Sequence, residues 1–183
     1  MVTETPDFPS SFRSTNAYAL PELLKMRGQP EEVRDRELGR FLLIGDGRYE
    51  ASSTFRFVTS TADAFDEGDG PRPLEESVFM GLRKHTRRFP GVVLVGRADS
   101  NDIQVKHASV SKLLARIHDV DAEGFWIRDA DSRNGTAVGN TPATTSIRTS
   151  CGDMVRFGDR VFLVRRTKVV FAALASLGSR PAI

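Results

Sequence analysis

The residues that could support catalysis or bind a metal ion in this sequence are few and far apart. The three histidines, His85, His107 and His118, do not have the spacing of metal ligands. The single cysteine, Cys151, excludes a disulfide framework, a CxxC redox pair and a thiolate zinc site. No Walker loop, HExxH motif or GxSxG motif occurs, and residues 45–50 lack the third glycine of a dinucleotide fingerprint. We therefore expect no enzymatic activity, no metal and no cofactor.

A different set of polar residues forms five short motifs in the C-terminal half of the chain. In sequence order these are Gly96-Arg97, Ser100-Asn101-Asp102-Ile103, Val110-Ser111-Lys112, DADSRNGT (129–136) and GDMVRFG (152–158). Each motif is common when taken alone. In this order and at this spacing, they resemble the forkhead-associated (FHA) domain family, in particular small bacterial-type FHA proteins. The resemblance covers residues 77–166.

The resemblance implies a mainly β fold, an eleven-strand β-sandwich whose loops at one end bind phosphothreonine peptides. At the family's ligand positions, Arg97 would contact the phosphate, and Ser111 would donate its hydroxyl and backbone N–H to it. Asn134 would hydrogen-bond the peptide backbone, while Lys112 and Arg133 would add positive charge beside it. The residue types suit a phosphate with about two negative charges and three acceptor oxygens, because arginine offers a planar fork of donors. Lys112 and Arg133 are equally well interpreted as solvated surface charges.

Five further motif positions are assigned structural roles: Gly96, Asn101, Asp102, Gly135 and Thr136. Gly135, for example, permits the tight turn that directs the side chain of Asn134.

One position departs from the family pattern. Three residues after the motif serine the family normally has a histidine that braces the binding loops, and here that position is Leu114. Leucine fills the volume but makes no hydrogen bond. The loss of one hydrogen bond costs about 0.5–1.5 kcal/mol, which weakens binding by up to about tenfold without abolishing it.

Two functions remain open at this point. The first is a phosphothreonine-dependent adaptor that acts downstream of Ser/Thr protein kinases. Its partners would be phosphorylated proteins, either kinase substrates or a kinase itself, and neither nucleic acid nor a membrane. The alternative, motivated by Leu114, is a structural or scaffolding module that keeps the sandwich but no longer reads phosphate.

The elements that position these motifs are expected to be short strands, that is, runs in which apolar and polar residues alternate. Between residues 77 and 166 such runs recur about every ten residues with turn residues between them, which is typical of an all-β sandwich. In the run that contains Phe125, we expect Trp126 to be a core residue rather than a ligand platform. After the last run, Thr167 is expected to cap a helix with Val169 and Val170 on its buried face, packed across the open end of the sandwich.

The N-terminal half shows no comparable resemblance. Residues 1–15 are expected to form a flexible arm, and 16–76 a short helical and strand region. In that region Asn16 would cap a first helix, a second would include Leu38, Phe41 and Leu42, and residues 53–58 would form a strand. An acidic stretch rich in glycine and proline, 61–73, predicts a domain boundary. The phosphopeptide-binding domain would follow at 77–166, and the C-terminal helix and tail at 167–183.

The net charge and the absence of targeting signals bear on the class of partner and on the location of the protein in the cell. The net charge of the 183-residue chain is +2, which is too small to indicate a polyanion partner by itself. The excess of basic residues falls in the C-terminal half, which suits one anionic group at one place. The N-terminus resembles no secretory signal, and no apolar stretch is long enough to span a bilayer. We therefore expect a cytoplasmic protein.

Overall fold

The computed structural model describes residues 16–46 and 76–177. Within these residues, twelve strands and three helices occur. The strands are β1 (Ala17–Ala19), β2 (Phe41–Asp46), β3 (Ser77–Gly81), β4 (Val93–Gly96), β5 (Ile103–Gln104), β6 (Ala115–His118), β7 (Gly124–Asp129), β8 (Thr136–Val138), β9 (Thr141–Pro142), β10 (Ile147–Ser150), β11 (Met154–Phe157) and β12 (Arg160–Arg166). The helices are α1 (Leu20–Lys25), α2 (Glu31–Leu38) and α3 (Thr167–Leu177).

The strands form two sheets. A seven-stranded sheet has the order β1-β3-β2-β12-β11-β8-β9, and a five-stranded sheet has the order β10-β7-β6-β4-β5. Neighbouring strands are antiparallel except for β4 and β5, which are parallel. The predicted fold class, mainly β with a short helical N-terminal region and a C-terminal helix, is confirmed.

The main core lies between the two sheets and follows the period-two alternation of strands. On β7, Phe125 and Ile127 are fully buried, whereas Trp126 between them is 37% exposed on the outward face. The rings of Phe125 and of Phe41 on β2 pack edge to face, with ring centroids 5.5 Å apart. Trp126 is therefore not the core residue predicted from the sequence, because its place in the alternation turns it outward.

A second apolar cluster covers the outer face of the seven-stranded sheet. Leu42 and Phe79 on that face pack with residues of all three helices, among them Leu23, Leu38 and Phe171. Strands β2 and β3 are therefore buried on both faces. This packing explains why their sequences are continuously apolar rather than alternating.

Two predictions for the N-terminal region were wrong. Phe41 and Leu42 do not extend a helix, because α2 ends at Leu38 and Gly39, with φ of +84°, turns the chain into strand β2. Asn16 caps no helix, since three residues in β1 separate it from α1, and its side-chain amide instead donates to the carbonyl of Asp102 at 2.9 Å.

The sandwich also extends beyond the predicted domain 77–166. Strand β2 lies between β3 and β12, and β1 pairs with β3, so residues from both sides of the predicted boundary share one sheet. The boundary itself (61–73), the strand predicted at 53–58 and the arm at 1–15 lie outside the described residues.

The C-terminal helix begins at Thr167 as predicted but packs elsewhere. Val170, Phe171 and Leu174 are buried in the cluster on the outer face of the seven-stranded sheet, and not across an open end, while Val169 is exposed. The Thr167 hydroxyl donates to the carbonyl of Gly39 at 2.6 Å. None of the helices in the described ranges is long and apolar enough to pass through a membrane.

Candidate functional site

Three loops meet at one end of the five-stranded sheet. They are residues 97–102 after β4, residues 105–114 before β6 and residues 130–135 after β7. The strand register brings them together, because Ala115 at the start of β6 pairs with Val95 near the end of β4 and with Asp129 at the end of β7. The loops contain Arg97, Ser111, Lys112, Arg133 and Asn134, the five positions predicted to bind ligand.

Arg97 joins the first loop to the second. Its backbone N–H donates to the carbonyl of Ser111 at 2.8 Å, and its Nε donates to the carbonyl of Val110 at 3.2 Å. The Nε bond fixes the plane of the guanidinium. The terminal N–H groups have no partner in the part of the chain that the structure describes, and the side chain is exposed. Arg97 therefore presents a braced fork of free donors to solvent.

Ser111 joins the second loop to the third. Its Oγ accepts a 3.0 Å hydrogen bond from the backbone N–H of Arg133. A hydroxyl that accepts one hydrogen bond still has its own O–H to donate. The serine side chain is thus held in place while its proton remains available for an anion.

Asn134 lies at the tip of the third loop. Its Nδ2 donates to the carbonyl of Ser109 at 2.7 Å, which leaves its side-chain oxygen and second amide proton for a ligand. Gly135 follows with a φ of +75°, a left-handed conformation that favours glycine. The structural role proposed for Gly135, to permit the turn that directs Asn134, rests on this conformation.

Gly96 and Asn101 hold the first loop close to the second. Asn101 is buried, and its Nδ2 donates to the carbonyl of Lys112 at 2.6 Å and to that of Ala98 at 2.9 Å. A Cβ on Gly96 would overlap the carbonyl oxygen of Lys112 and the Asn101 amide. The two residues therefore set the close approach of the loops.

Asp102 anchors the other side of the first loop. Its buried carboxylate accepts hydrogen bonds from Lys84 Nζ at 2.7 Å and from the backbone N–H groups of His85, Thr86 and Leu94. Burial raises the pKa of Asp102, but these hydrogen bonds outweigh it and hold the pKa below its ordinary value. The carboxylate is a charged anchor and does not point toward the candidate ligand site.

Asp129 organises the third loop, a role that the sequence did not reveal. Its Oδ1 accepts hydrogen bonds from the hydroxyls of Ser132 and Thr136, both at 2.7 Å, and its Oδ2 accepts one from the Ser132 N–H. The Ser132 hydroxyl oxygen in turn accepts from the N–H of Gly135. Asp129 thus joins the two ends of the third loop. The only sign of this role in the sequence is the spacing of Asp129 from the hydroxyl residues Ser132 and Thr136.

Leu114, at the position where a histidine was expected, is fully buried in the main core. Its backbone is nevertheless part of the support, since its N–H donates to the Val95 carbonyl and its carbonyl accepts from the N–H of Ala130, each at 2.8 Å. The leucine side chain thus replaces a polar brace with packing.

A different histidine braces the second loop. His107 Nδ1 lies 2.7 Å from the Ser109 hydroxyl oxygen and accepts a hydrogen bond from the Ser109 N–H at 3.2 Å. That hydroxyl oxygen also accepts a 3.1 Å hydrogen bond from the N–H of Asp159. Burial lowers the pKa of His107, and the charge of Arg160 lowers it further against the opposing effect of Asp159. The imidazole is therefore neutral near pH 7, with Nδ1 as acceptor.

Lys112 and Arg133 are exposed; Lys112 follows Ser111 in the chain, and the backbone N–H of Arg133 donates to the Ser111 hydroxyl oxygen. Across residues 16–46 and 76–177, no carboxylate lies within ion-pair distance of Arg97, Lys112 or Arg133. The same residues contain no group of three histidine, cysteine, aspartate or glutamate side chains that could hold a metal ion. In the described residues the three loops thus combine three cations without ion-pair partners, a hydroxyl proton of Ser111 and the side-chain oxygen and second amide proton of Asn134, an arrangement suited to an anionic ligand with a peptide backbone.

Solved FHA domain structures are similar to this chain. One, from a study of phosphothreonine-dependent FHA domain interactions, is 21% identical with a TM-score of 0.42, over 68% of this chain and 95% of its own. The FhaA FHA domain complexed with the intracellular domain of Rv3910 is also 21% identical with a TM-score of 0.42, over 68% and 99%. EmbR of Mycobacterium tuberculosis, in complex with a low affinity phosphopeptide, is 18% identical with a TM-score of 0.43, over 80% and 28%.

No curated protein sequence matches the chain. Residues 93–158, however, match the family model described as the FHA domain. The match runs from the first residue of β4 to the glycine after β11 and contains all five predicted ligand positions.

Proposed function

Since residues 93–158 of this chain are an FHA domain, we propose that the protein is a binding module for proteins that carry a phosphothreonine. The phosphate would lie between Arg97 and Ser111, and Asn134 would hold the peptide backbone beside it. Lys112 and Arg133 would contribute charge at the rim of the site.

One observation carries this proposal: the three loops are tied to each other in a way that leaves the anion-binding donors free. Within the described residues, Arg97 uses only its Nε to bind the Val110 carbonyl, and the Ser111 hydroxyl oxygen accepts a hydrogen bond from the Arg133 N–H and does not donate one. The terminal guanidinium groups and the hydroxyl proton remain for a phosphate. A site whose donors are already positioned loses little side-chain freedom when it binds.

The loops do not need a histidine at position 114 for this support. Hydrogen bonds from Asn101 to Lys112, from Asn134 to Ser109 and from the Arg133 N–H to Ser111 join them directly. These contacts support a phosphothreonine-binding module over the scaffolding alternative that Leu114 motivated, and we favour the former.

We further propose an adaptor role without catalysis, downstream of Ser/Thr protein kinases and in the cytoplasm. The partner would be a kinase substrate or a kinase that carries the mark. The site offers donors for an anion, whereas a hydrolase or transferase would also require a positioned nucleophile or base.

The test is fluorescence anisotropy of the purified chain with a degenerate phosphothreonine peptide library, and with phosphoserine and unphosphorylated versions of the same library. We expect saturable binding that requires phosphothreonine and that Arg97→Ala weakens at least tenfold, since a charge-assisted hydrogen bond contributes about 1.5–3 kcal/mol. Arg36→Ala is the matched control, because Arg36 is an exposed arginine on α2. Equal affinity of the Arg97→Ala variant would disprove the site. Capture of a partner that survives phosphatase treatment would instead support the scaffolding alternative.

A further inference from the structure

The outward face of the five-stranded sheet carries two arginines directly opposite each other. Arg116 on β6 is in register with Arg128 on β7, and both side chains are exposed. Like charges at opposed positions on neighbouring strands repel each other and destabilise a sheet. Among the residues that the structure describes, neither guanidinium has a carboxylate within ion-pair distance. The sheet itself does not account for this arginine pair (Arg116 and Arg128).

Among the residues that the structure describes, two other polar side chains on this face have a carboxylate partner. Arg148 on β10 donates to both carboxylate oxygens of Asp121 at 2.7 Å, and its guanidinium lies 5.9 Å from the centre of the Trp126 ring. His118 Nδ1 is 2.8 Å from the carboxylate of Asp119. In register, His118 and Arg148 flank Trp126, one row further from the loops than the arginine pair. The arginine pair, which has no such partner in the described ranges, lies in the row nearer the candidate site.

The arginine pair continues the positive surface of the site. Arg116 lies five residues after Ser111 along the chain, and Arg128 lies five residues before Arg133. In the described ranges Lys112 and Arg133 are exposed and lack ion pairs, as the arginine pair does. A ligand that leaves the loops over this edge of the sheet would meet the arginine pair next.

We propose that the arginine pair is a subsite for acidic side chains on the same peptide that presents the phosphothreonine. This inference rests on the proposed function and adds to it a preference for peptides with an acidic flank. Five residues of chain span at most about 16 Å, so the arginine pair lies within that distance of Ser111 and of Arg133. The complementary carboxylates would therefore lie within about six positions of the phosphothreonine, and positions four to six are those beyond the residues that face the loops. Each carboxylate would neutralise a guanidinium and relieve the repulsion between the two arginines.

The experiment compares three peptides that share a central phosphothreonine: one with aspartates at four to six positions before it, one with aspartates at four to six positions after it, and one with asparagines at all of these positions. Binding is measured by anisotropy at low and at physiological salt. The proteins are the full wild-type chain and a variant with Arg116→Gln and Arg128→Gln. The matched control carries Arg27→Gln and Arg36→Gln, which remove the same charge from exposed positions on the helical side.

We expect the wild-type chain to bind one of the acidic peptides about three- to tenfold more tightly than the asparagine peptide at low salt, and less so at physiological salt. The Arg116→Gln and Arg128→Gln variant should bind the asparagine peptide like wild type but lose the preference, and the control should keep it. Equal binding of all three peptides by the wild-type chain would overturn the subsite. A preference for an acidic peptide that persists in the Arg116→Gln and Arg128→Gln variant would also overturn it. Both outcomes leave the proposed function standing. Failure to bind any of the phosphothreonine peptides overturns both.

Discussion

The side chain of Asn134 donates a 2.7 Å hydrogen bond to the backbone carbonyl of Ser109. The asparagine that would hold the ligand's backbone is therefore fixed by a residue of another loop, 25 positions earlier in the chain. Ser109 in turn is braced by His107 and by the N–H of Asp159. Any change that loosens Ser109 should be felt at Asn134, although Ser109 and His107 are not predicted ligand residues.

We expect His107→Ala to weaken phosphothreonine-peptide binding by about two- to tenfold, because Ser109 loses hydrogen bonds that contribute about 0.5–1.5 kcal/mol. His107→Asn should restore much of the affinity, since its side-chain oxygen can replace Nδ1 as acceptor. Titration calorimetry of the wild type and both variants checks this.

His85→Ala is the control, as His85 is exposed and only its backbone N–H bonds to Asp102. If His107→Ala and His107→Asn bind alike, His107 does not act as the brace described.

The Asp102 carboxylate predicts how stability depends on pH. Its pKa in the folded protein is lowered, so the unfolded chain binds the proton more readily and the contribution of Asp102 is complete above the ordinary pKa, near pH 4. The contribution is lost as the pH falls through the lowered pKa. Asp102→Asn should therefore reduce the free energy of unfolding by at least about 2 kcal/mol at pH 7 and by less at pH 3.

Urea unfolding of both proteins at pH 7, 5 and 3 provides the measurement. Asp121 also titrates in acid, because hydrogen bonds from Arg148 and from the N–H groups of Glu123 and Gly124 lower its pKa to about 2. It is present in both proteins, so the difference between them reports on Asp102. A difference that stays constant from pH 7 to pH 3 would contradict the assignment.

The central position of β2 predicts that residues 77–183 do not fold on their own. A fragment of residues 77–183 lacks β1 and β2, so no strand lies between β3 and β12. It also lacks Phe41, Leu42 and Leu43, and the core surfaces that these side chains cover become exposed. Loss of a single buried phenylalanine or leucine side chain costs about 2–5 kcal/mol, and a small domain has about 5–15 kcal/mol in total.

Circular dichroism and thermal melting distinguish the outcomes. We expect a cooperative transition for residues 16–183 at nearly the melting temperature of the full chain, and none for residues 77–183. A cooperative transition in the shorter fragment would show that the sandwich is complete without the N-terminal strands.

The positions of the candidate site are predicted from the order and spacing of five short motifs that resemble the FHA family. Arg97, Ser111 and Asn134 do lie on three adjoining loops, and Gly135 does have positive φ. The braces could not be predicted in the same way. His107 and Ser109 have no distinctive spacing, and their partners, Asn134 and Asp159, come from distant parts of the chain.

The wrong predictions about the fold have two physical causes. Phe41 and Leu42 share a helical spacing with Leu38, but pairing of residues 41–46 with β3 and β12 outweighs that local pattern. Such long-range pairing is not encoded in the local periodicity. Trp126 is predicted in the core because of its size and apolar character, although the alternation of β7 between Phe125 and Ile127 turns it outward.

The hydrogen bond from Thr167 to Gly39 joins residues 128 positions apart, next to the ladder between β2 and β12. On a ribosome, which makes the chain from its N-terminus, β2 would be synthesised long before its neighbour β12. The seven-stranded sheet therefore cannot close until β12 has left the exit tunnel. Until then the apolar strand of residues 41–46 lacks one of its two neighbouring strands, so the time at which the seven-stranded sheet closes is set by translation as well as by folding.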